Sequence, residues 1–267
     1  MSRPSISLII PTRDRPLLLH RLLHSIQLQQ EVDFEVIVVE DSDQPALTDI
    51  QKSFPDLCVK YFQTSARGAN RARNRGLSEA SKDIVYFLDD DTFLSHPQHL
   101  NFLSTTFASR SGPLAIGGSY LSTPDSTFPQ KIYNLASNLW LEKGFHLSTP
   151  IFMGGNFAMR KRDLGSDIYF SENVFVGGDE LGFFSRFQKK FSTATYLLCP
   201  EIAVFHNSHL SWKKMCLNSI SQQRNNPTTF RTGLSWLAAV PLEVWRVWPL
   251  ALYVASGKFH ALLRRSP

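Results

Sequence analysis

The chain has 267 residues, 43% of them hydrophobic, and a formal net charge of +5 with a pI near 9.2. That length and apolar content can bury a substantial core and exclude a disordered chain, while three cysteines (Cys58, Cys199, Cys216) without metal-ligand spacing exclude a disulfide framework and a structural zinc site. The basic balance suits a nucleic acid, an anionic membrane or a small phosphorylated ligand, and by itself does not choose among them.

Ser5 to Ile10 reads as a short buried strand, cut by Pro11 and the charged Arg13-Asp14-Arg15. It is too short for a signal-peptide core, so a cytoplasmic location is expected. Pro16 to Gln30 carries leucines and Ile26 at helical spacing, with Pro16 suited to the first turn. Phe34 to Val39, Val59 to Phe62 and Ile84 to Leu88 follow as strands, linked by helical stretches at Ala46 to Phe54 and Asn70 to Ala80. This alternation predicts an α/β fold with a mostly parallel sheet covered on both faces, whose ligands bind at the carboxyl ends of the strands. Pro97 to Ser109 reads as another helix, after which Gly117-Gly118, Gly154-Gly155 and Gly177-Gly178 mark turns or close backbone approaches.

The fourth strand runs directly into Asp89-Asp90-Asp91 in "YFLDDDT". Three adjacent carboxylates repel unless a cation neutralises them, and oxygen-rich clusters suit Mg²⁺ or Mn²⁺. Taken alone, the triplet reads more readily as a solvated turn capping a helix than as a metal site. Its company is what gives it meaning: "IIPTRDRP" closes the first strand, "VVEDSD" the second, "GANRARNRGLSEA" precedes the aspartate strand, and "GGDELGFFSRF" lies about ninety residues after it.

In order and spacing these stretches resemble the inverting glycosyltransferases of family 2, which have the nucleotide-sugar-binding GT-A fold; the resemblance covers Ile6 to His209. It implies that Pro11, Thr12 and Arg13 edge the nucleobase pocket, that Asp41, with Glu40 before it, accepts a hydrogen bond from the base, and that Arg67 or Arg71 contacts base or phosphate. Asn74 and Gly76 occupy the family's ARN-x-G positions, and a solvated basic helix face is the alternative for Arg73 and Arg75. Asp89, Asp90 and Asp91 resemble the DxD signature: Asp89 and Asp90 toward the nucleotide, Asp91 and Asp89 toward a divalent ion that neutralises the departing diphosphate. His206 in "VFHNSH" joins them as a metal ligand. Gly155 and Asn156 in "MGGNFAMRK" are expected at the donor or acceptor sugar, with Asn156 as the polar tip of a loop, and a plain turn into a strand is the equal alternative. In "GGDELGFFSRF" the resemblance implies a general base that deprotonates the acceptor hydroxyl, either Asp179 or Glu180, and acidic capping of the helix from Glu180 to Lys190 is the competing reading.

Rival readings have specific faults. A haloacid-dehalogenase-like phosphatase needs Asp-x-Asp-x-Thr, and here Thr92 follows Asp91 directly. A sugar nucleotidyltransferase needs a glycine-rich loop that "IIPTRDRP" lacks. A nucleic-acid-binding protein would interleave aromatics with Arg67, Arg71, Arg73 and Arg75. A protein that binds nucleotide sugars without transferring them is the remaining alternative. The expectation is a GT-A-like catalytic domain over residues 1–210 and a helical appendage over 211–267, acting as a metal-dependent inverting transferase. Its donor would be a nucleoside-diphosphate sugar, with UDP as the expected nucleotide, and its acceptor a glycan, lipid-linked or small-molecule hydroxyl. Gly233 to Gly257 is rich in Trp and Leu, but Glu243, Arg246, Pro241 and Pro249 interrupt it, so it reads as interfacial rather than spanning. Residues 233–267 are therefore expected at a membrane surface, against the catalytic domain, or between subunits of a homo-oligomer.

Overall fold

The structure, a computed structural model, describes residues 3–42, 50–64, 68–112, 114–144, 152–172 and 180–214. Four strands, β1 (Ile6–Thr12), β2 (Phe34–Glu40), β3 (Val59–Gln63) and β4 (Ile84–Leu88), pair in parallel in the order β3-β2-β1-β4. Helices cover both faces, so β1, β2 and β4 are largely apolar on both sides instead of alternating, while edge strand β3 is only partly buried. Leu8, Ile10, Val36, Val38, Tyr86 and Leu88 point into one core, and Ile9, Ile37, Val39, Val85 and Phe87 into the other.

On the first face lie α1 (Pro16–Gln27), opened by Pro16 as expected, and α4 (His99–Ala108). The short α2 (Ile50–Ser53) marks the described end of the second helical stretch. On the other face α3 (Ala69–Glu79) packs so closely that a Cβ on Gly76 would overlap Ile9, which explains a glycine inside a helix.

Beyond β4 the chain departs from simple parallel alternation. After β5 (Thr92–Leu94) and α4 come β6 (Leu114–Gly117), β7 (Tyr120–Leu121), α5 (Phe128–Gly144), β8 (Asn156–Arg160), α6 (Glu180–Lys190), β9 (Thr195–Leu198) and β10 (Val204–His206). Strand β8 inserts antiparallel between β4 and β6, extending the sheet to β3-β2-β1-β4-β8-β6-β9. A second sheet, β5-β10-β7, stands beside it. The second core is filled by packed aromatic rings from Phe87, Phe157, Phe170, Phe183 and Phe184. The fold is thus the expected α/β sheet with helices on both faces, mostly parallel but with one reversed strand. No helix among the described residues is long and apolar enough to cross a membrane. The Gly233 to Gly257 segment lies outside the described residues, as does nearly all of the expected appendage.

Candidate functional site

The three aspartates form a tight turn at the carboxyl end of β4. Thr92 closes it, donating from its backbone nitrogen (3.1 Å) and its hydroxyl (2.7 Å) to the Asp89 carbonyl. Thr12, at the end of neighbouring β1, donates from Oγ1 to Asp90 Oδ2 at 2.9 Å. Arg15, just before α1, places Nη1 2.9 Å from Asp90 Oδ1 and 3.1 Å from Asp91 Oδ2. Burial disfavours the Arg15 charge, but Asp90 and Asp91 outweigh it and raise its pKa. Burial, then the charge of Asp91, raises the Asp90 carboxyl above the usual carboxylate range. Asp91 is also buried, yet His206 and Arg15 hold its carboxyl below that range. Arg15 is shared between the two neighbouring carboxyls, so Asp90 and Asp91 titrate as a pair.

His206 reaches this turn through sheet register. Strand β5 leaves Asp91 and pairs antiparallel with β10, which sets His206 opposite Thr92, and the Asn207 N–H donates to the Asp91 carbonyl at 3.0 Å. Nε2 of His206 then lies 3.4 Å from Asp91 Oδ1. On its other edge the ring meets α5: Nδ1 is 2.8 Å from Asn134 Oδ1 and 3.2 Å from Gln130 Nε2. The contacts at Nδ1 fix the orientation of the ring and leave Nε2 as the edge that faces Asp91.

Buried Asp91 Oδ1 has no hydrogen-bond partner. An unpartnered carboxylate oxygen beside an imidazole nitrogen whose far edge is fixed by an amide oxygen fits a divalent ion. Among the described residues no three His, Cys, Asp or Glu side chains form a ligand cluster. Two protein donors are nonetheless consistent with Mg²⁺-type binding, in which substrate phosphates and water complete the shell.

Asp89, the other expected ligand, is held differently. Arg73 Nη2 bonds its Oδ1 at 2.6 Å, and a Cβ on Gly155 would come within 2.6 Å of its Cγ. Gly155 therefore seats Asp89. A Cβ on neighbouring Gly154 would overlap the Glu180 carboxylate and sit 3.2 Å from Arg73 Nη2, which places Glu180, the first residue of α6, beside the same guanidinium. Arg73 is buried over the Phe170 ring, and Asp89 and Glu180 raise its pKa against its burial. Tyr120 completes this side. Burial, then the negative charge of Asp89, raises its phenol well above the ordinary value.

Other residues expected at the nucleotide have defined partners. Asp41 is buried, accepts from the Gly68 N–H at 2.6 Å and so ties the start of α3 to the end of β2; Arg13 Nε is 4.0 Å from it. Glu40 is buried and accepts from the Tyr61 hydroxyl, and Pro11 lies inside β1 opposite Val39. Arg71 pairs with Glu172 at 3.3 Å.

One expectation needs correction. Asn156 is no polar tip: it is 0% exposed, accepting from the Tyr86 hydroxyl at 2.7 Å and donating to the carbonyls of Ser119 and Ile202, because β8 runs through the middle of the sheet. Asn74 is committed to the backbone, exchanging hydrogen bonds with Phe170 N–H and C=O at 2.9 and 2.8 Å. With Asn70 on the Ser171 carbonyl, it clamps the segment leading toward Asp179. Asp179 itself and Arg67 lie outside the described residues.

Arg15, Arg73 and Tyr120 were not among the expected site residues. For Arg73 a signal existed: it shares the buried face of α3 with Asn70 and Gly76, three residues either side. Tyr120 had none, since only the pairing of β7 with β10 brings it beside His206, with ring centroids 4.4 Å apart.

The sequence model of glycosyl transferase family 2 matches residues 7–165. A GalNAc(5)-diNAcBac-PP-undecaprenol beta-1,3-glucosyltransferase from Campylobacter jejuni is 39% identical over 94 residues, 33% of this chain and 30% of that protein. A validoxylamine A glucosyltransferase from Streptomyces hygroscopicus is 32% identical over 136 residues, 48% of this chain and 31% of its own length. The chain thus spans about a third of these curated relatives. Among solved structures, a Pyrobaculum calidifontis mannosyltransferase in complex with GDP-Man and Mn²⁺ superposes with a TM-score of 0.66 at 18% identity, covering 100% of this chain and 77% of that one. Staphylococcus aureus TarS 1-349 in complex with UDP-GlcNAc gives 0.59 at 17% identity, covering 87% and 77%. At such identities the likeness is one of fold, the GT-A fold.

Proposed function

Since the chain belongs to glycosyl transferase family 2, we propose that it moves a sugar from a nucleoside-diphosphate sugar to a hydroxyl acceptor, with inversion at the anomeric carbon and with the help of Mn²⁺ or Mg²⁺. The observation that carries this reading is the convergence of Asp89–Asp91, Arg15, Arg73 and His206 at the strand ends, with Asp91 Oδ1 left unpartnered. Asp91 and His206 would hold the ion, which stabilises charge developing on the leaving diphosphate. Asp89, fixed by Arg73 and Gly155, is positioned for the ribose, and Arg15 supplies a second positive charge near the phosphates.

For transfer, a carboxylate takes the proton of the acceptor hydroxyl, the oxygen forms the new bond at the anomeric carbon, and the bond to the diphosphate breaks with its electron pair leaving on the diphosphate. Asp179 is our choice of base and Glu180 the alternative; the Glu180 carboxylate stands beside Gly154 and Arg73, on the same side of the site as Asp89. UDP is the proposed nucleotide, and the solved complexes named above hold either UDP-GlcNAc or GDP-Man. A glycan or lipid-linked acceptor at the cytoplasmic face of a membrane is in keeping with the undecaprenol-linked substrate in the name of the Campylobacter relative.

Calorimetric titration with UDP and GDP, with Mn²⁺ or with EDTA, tests the donor half. Binding of one diphosphate should weaken about 10- to 100-fold when the metal is removed or Asp91 is replaced by Ala. Equal affinity in all arms would remove the metal from the proposal.

A further inference from the structure

Helix α5 is inside out. Among its described side chains the inward face is largely polar, with Gln130, Asn134 and Ser137 buried between Pro129 at its start and Leu141 near its end. Its outward face carries Phe128, Leu135 and Leu139, exposed to 67%, 61% and 39%, with half-buried Ile132 between them. Positions 128, 132, 135 and 139 follow a 4-3-4 spacing, the apolar seam by which one helix face packs against another segment. The inward polarity has its own cause, since Gln130 and Asn134 grip His206. No such demand explains the outward leucines, and a surface helix normally arranges its faces the other way.

The chain itself returns to this seam. After β10, Thr127 Oγ1 donates to the Leu210 carbonyl at 2.6 Å, Leu210 is buried, and Trp212 sets its ring edge-on to Phe128 with centroids 6.1 Å apart. The described chain ends at Lys214, beside the start of the seam, with residues 215–267 still to come. Those residues include Gly233 to Gly257, with Trp236, Trp245 and Trp248 and only two charged side chains, Glu243 and Arg246. We propose that the outer face of α5 is the seat of this segment of the same chain. A tethered segment meets its seat at an effective concentration in the mM range, above that of a free partner. A stripe on one helix is also small beside the roughly 800 Å² per partner of a stable dimer.

Hydrogen exchange on the full-length protein tests this. Peptides within 233–257 should be protected in the native chain and exchange at least 10-fold faster in the double variant Leu135→Glu/Leu139→Glu, while peptides of β1 and β4 stay unchanged. As a second arm, a cysteine at the seam, Leu135→Cys, should react slowly with maleimide in the full chain and quickly once Trp245→Glu and Trp248→Glu are added. Exchange over 233–257 that ignores the seam substitutions overturns the proposal. So does a native dimer, seen by sedimentation, that the double variant dissociates, because a second copy would then cover the seam. Flotation with phosphatidylglycerol vesicles that the double variant abolishes, with exchange over 233–257 unaltered in the absence of lipid, also overturns it in favour of a membrane.

Discussion

The two halves of the site are built on opposite plans. From β1 to β4 the apolar residues go inward and the chemistry appears where strands end: Thr12, Asp41 and Asp89–Asp91 all follow apolar runs. Around His206, in the contacts of α5 and β8, polar residues go inward instead. Asn156 lies in the middle of the sheet, Gln130 and Asn134 fill the contact between α5 and His206, and leucines face out. The first plan puts ligands at the edge of a dry sheet. The second builds a buried hydrogen-bond network that orients one histidine, and such networks hold only while every member is satisfied.

The largest effect should come from the region that neither plan describes. Asp179→Asn should lower transfer by about 10²–10⁴-fold while nucleotide binding by calorimetry stays near the native value. The same loss in Glu180→Gln instead would move the base by one residue, and unfolding of Asp179→Asn would favour a helix-capping role.

A smaller effect should separate the two faces of α5. Asn134→Leu removes the acceptor for His206 Nδ1 and should weaken Mn²⁺-dependent nucleotide binding about 10-fold or more, whereas Leu135→Gln on the outer face should leave that binding unchanged. Equal losses, or none, would show that the polar interior of this half does not serve the histidine.

The smallest effect concerns stability. His99 is buried against the Tyr86 hydroxyl at 2.9 Å, and burial, then the neighbouring His96, lowers its pKa from 6.5 to about 3. The unfolded chain therefore gains a proton below pH 6.5 that the folded chain refuses until about pH 3, so stability falls as pH drops through that window. Between pH 6.5 and 5 the His99 contribution should be about 2 kcal/mol, read in urea unfolding as the difference between the native chain and His99→Gln, because Asp90, raised to about 7, acts in the opposite sense over the same range in both. Glu35, lowered to about 2 by Lys60, Ser7 and Ser81 against its burial, adds its own loss only below about pH 4.5 and does not confuse that range.

Much of the first plan was legible without coordinates. A strand buried on both faces needs an unbroken apolar run, so β1, β2 and β4 announce themselves, and a break into Asp89-Asp90-Asp91 marks where the strand leaves the core. The described part of helix α6, Glu180–Lys190, lies in the helical stretch that the sequence suggests.

What only the tertiary structure decided follows from long-range pairing. Nothing local says that β8 enters antiparallel between β4 and β6, yet that insertion buries Asn156, which by sequence reads as a loop tip, and seats Asp89 on Gly155. The register of β10 on β5 makes His206 a neighbour of Asp91 across more than a hundred residues. Arg73 counts as buried or solvated according to which face of α3 meets the sheet, and an arginine-rich helix does not announce that face by its polarity. The sequence by itself determined where the polar chemistry leaves the sheet, because burial imposes a local pattern of residue types. The fold alone decided which charges meet there, because ion pairs and ligand sets form between segments whose sequences carry no record of each other's distance.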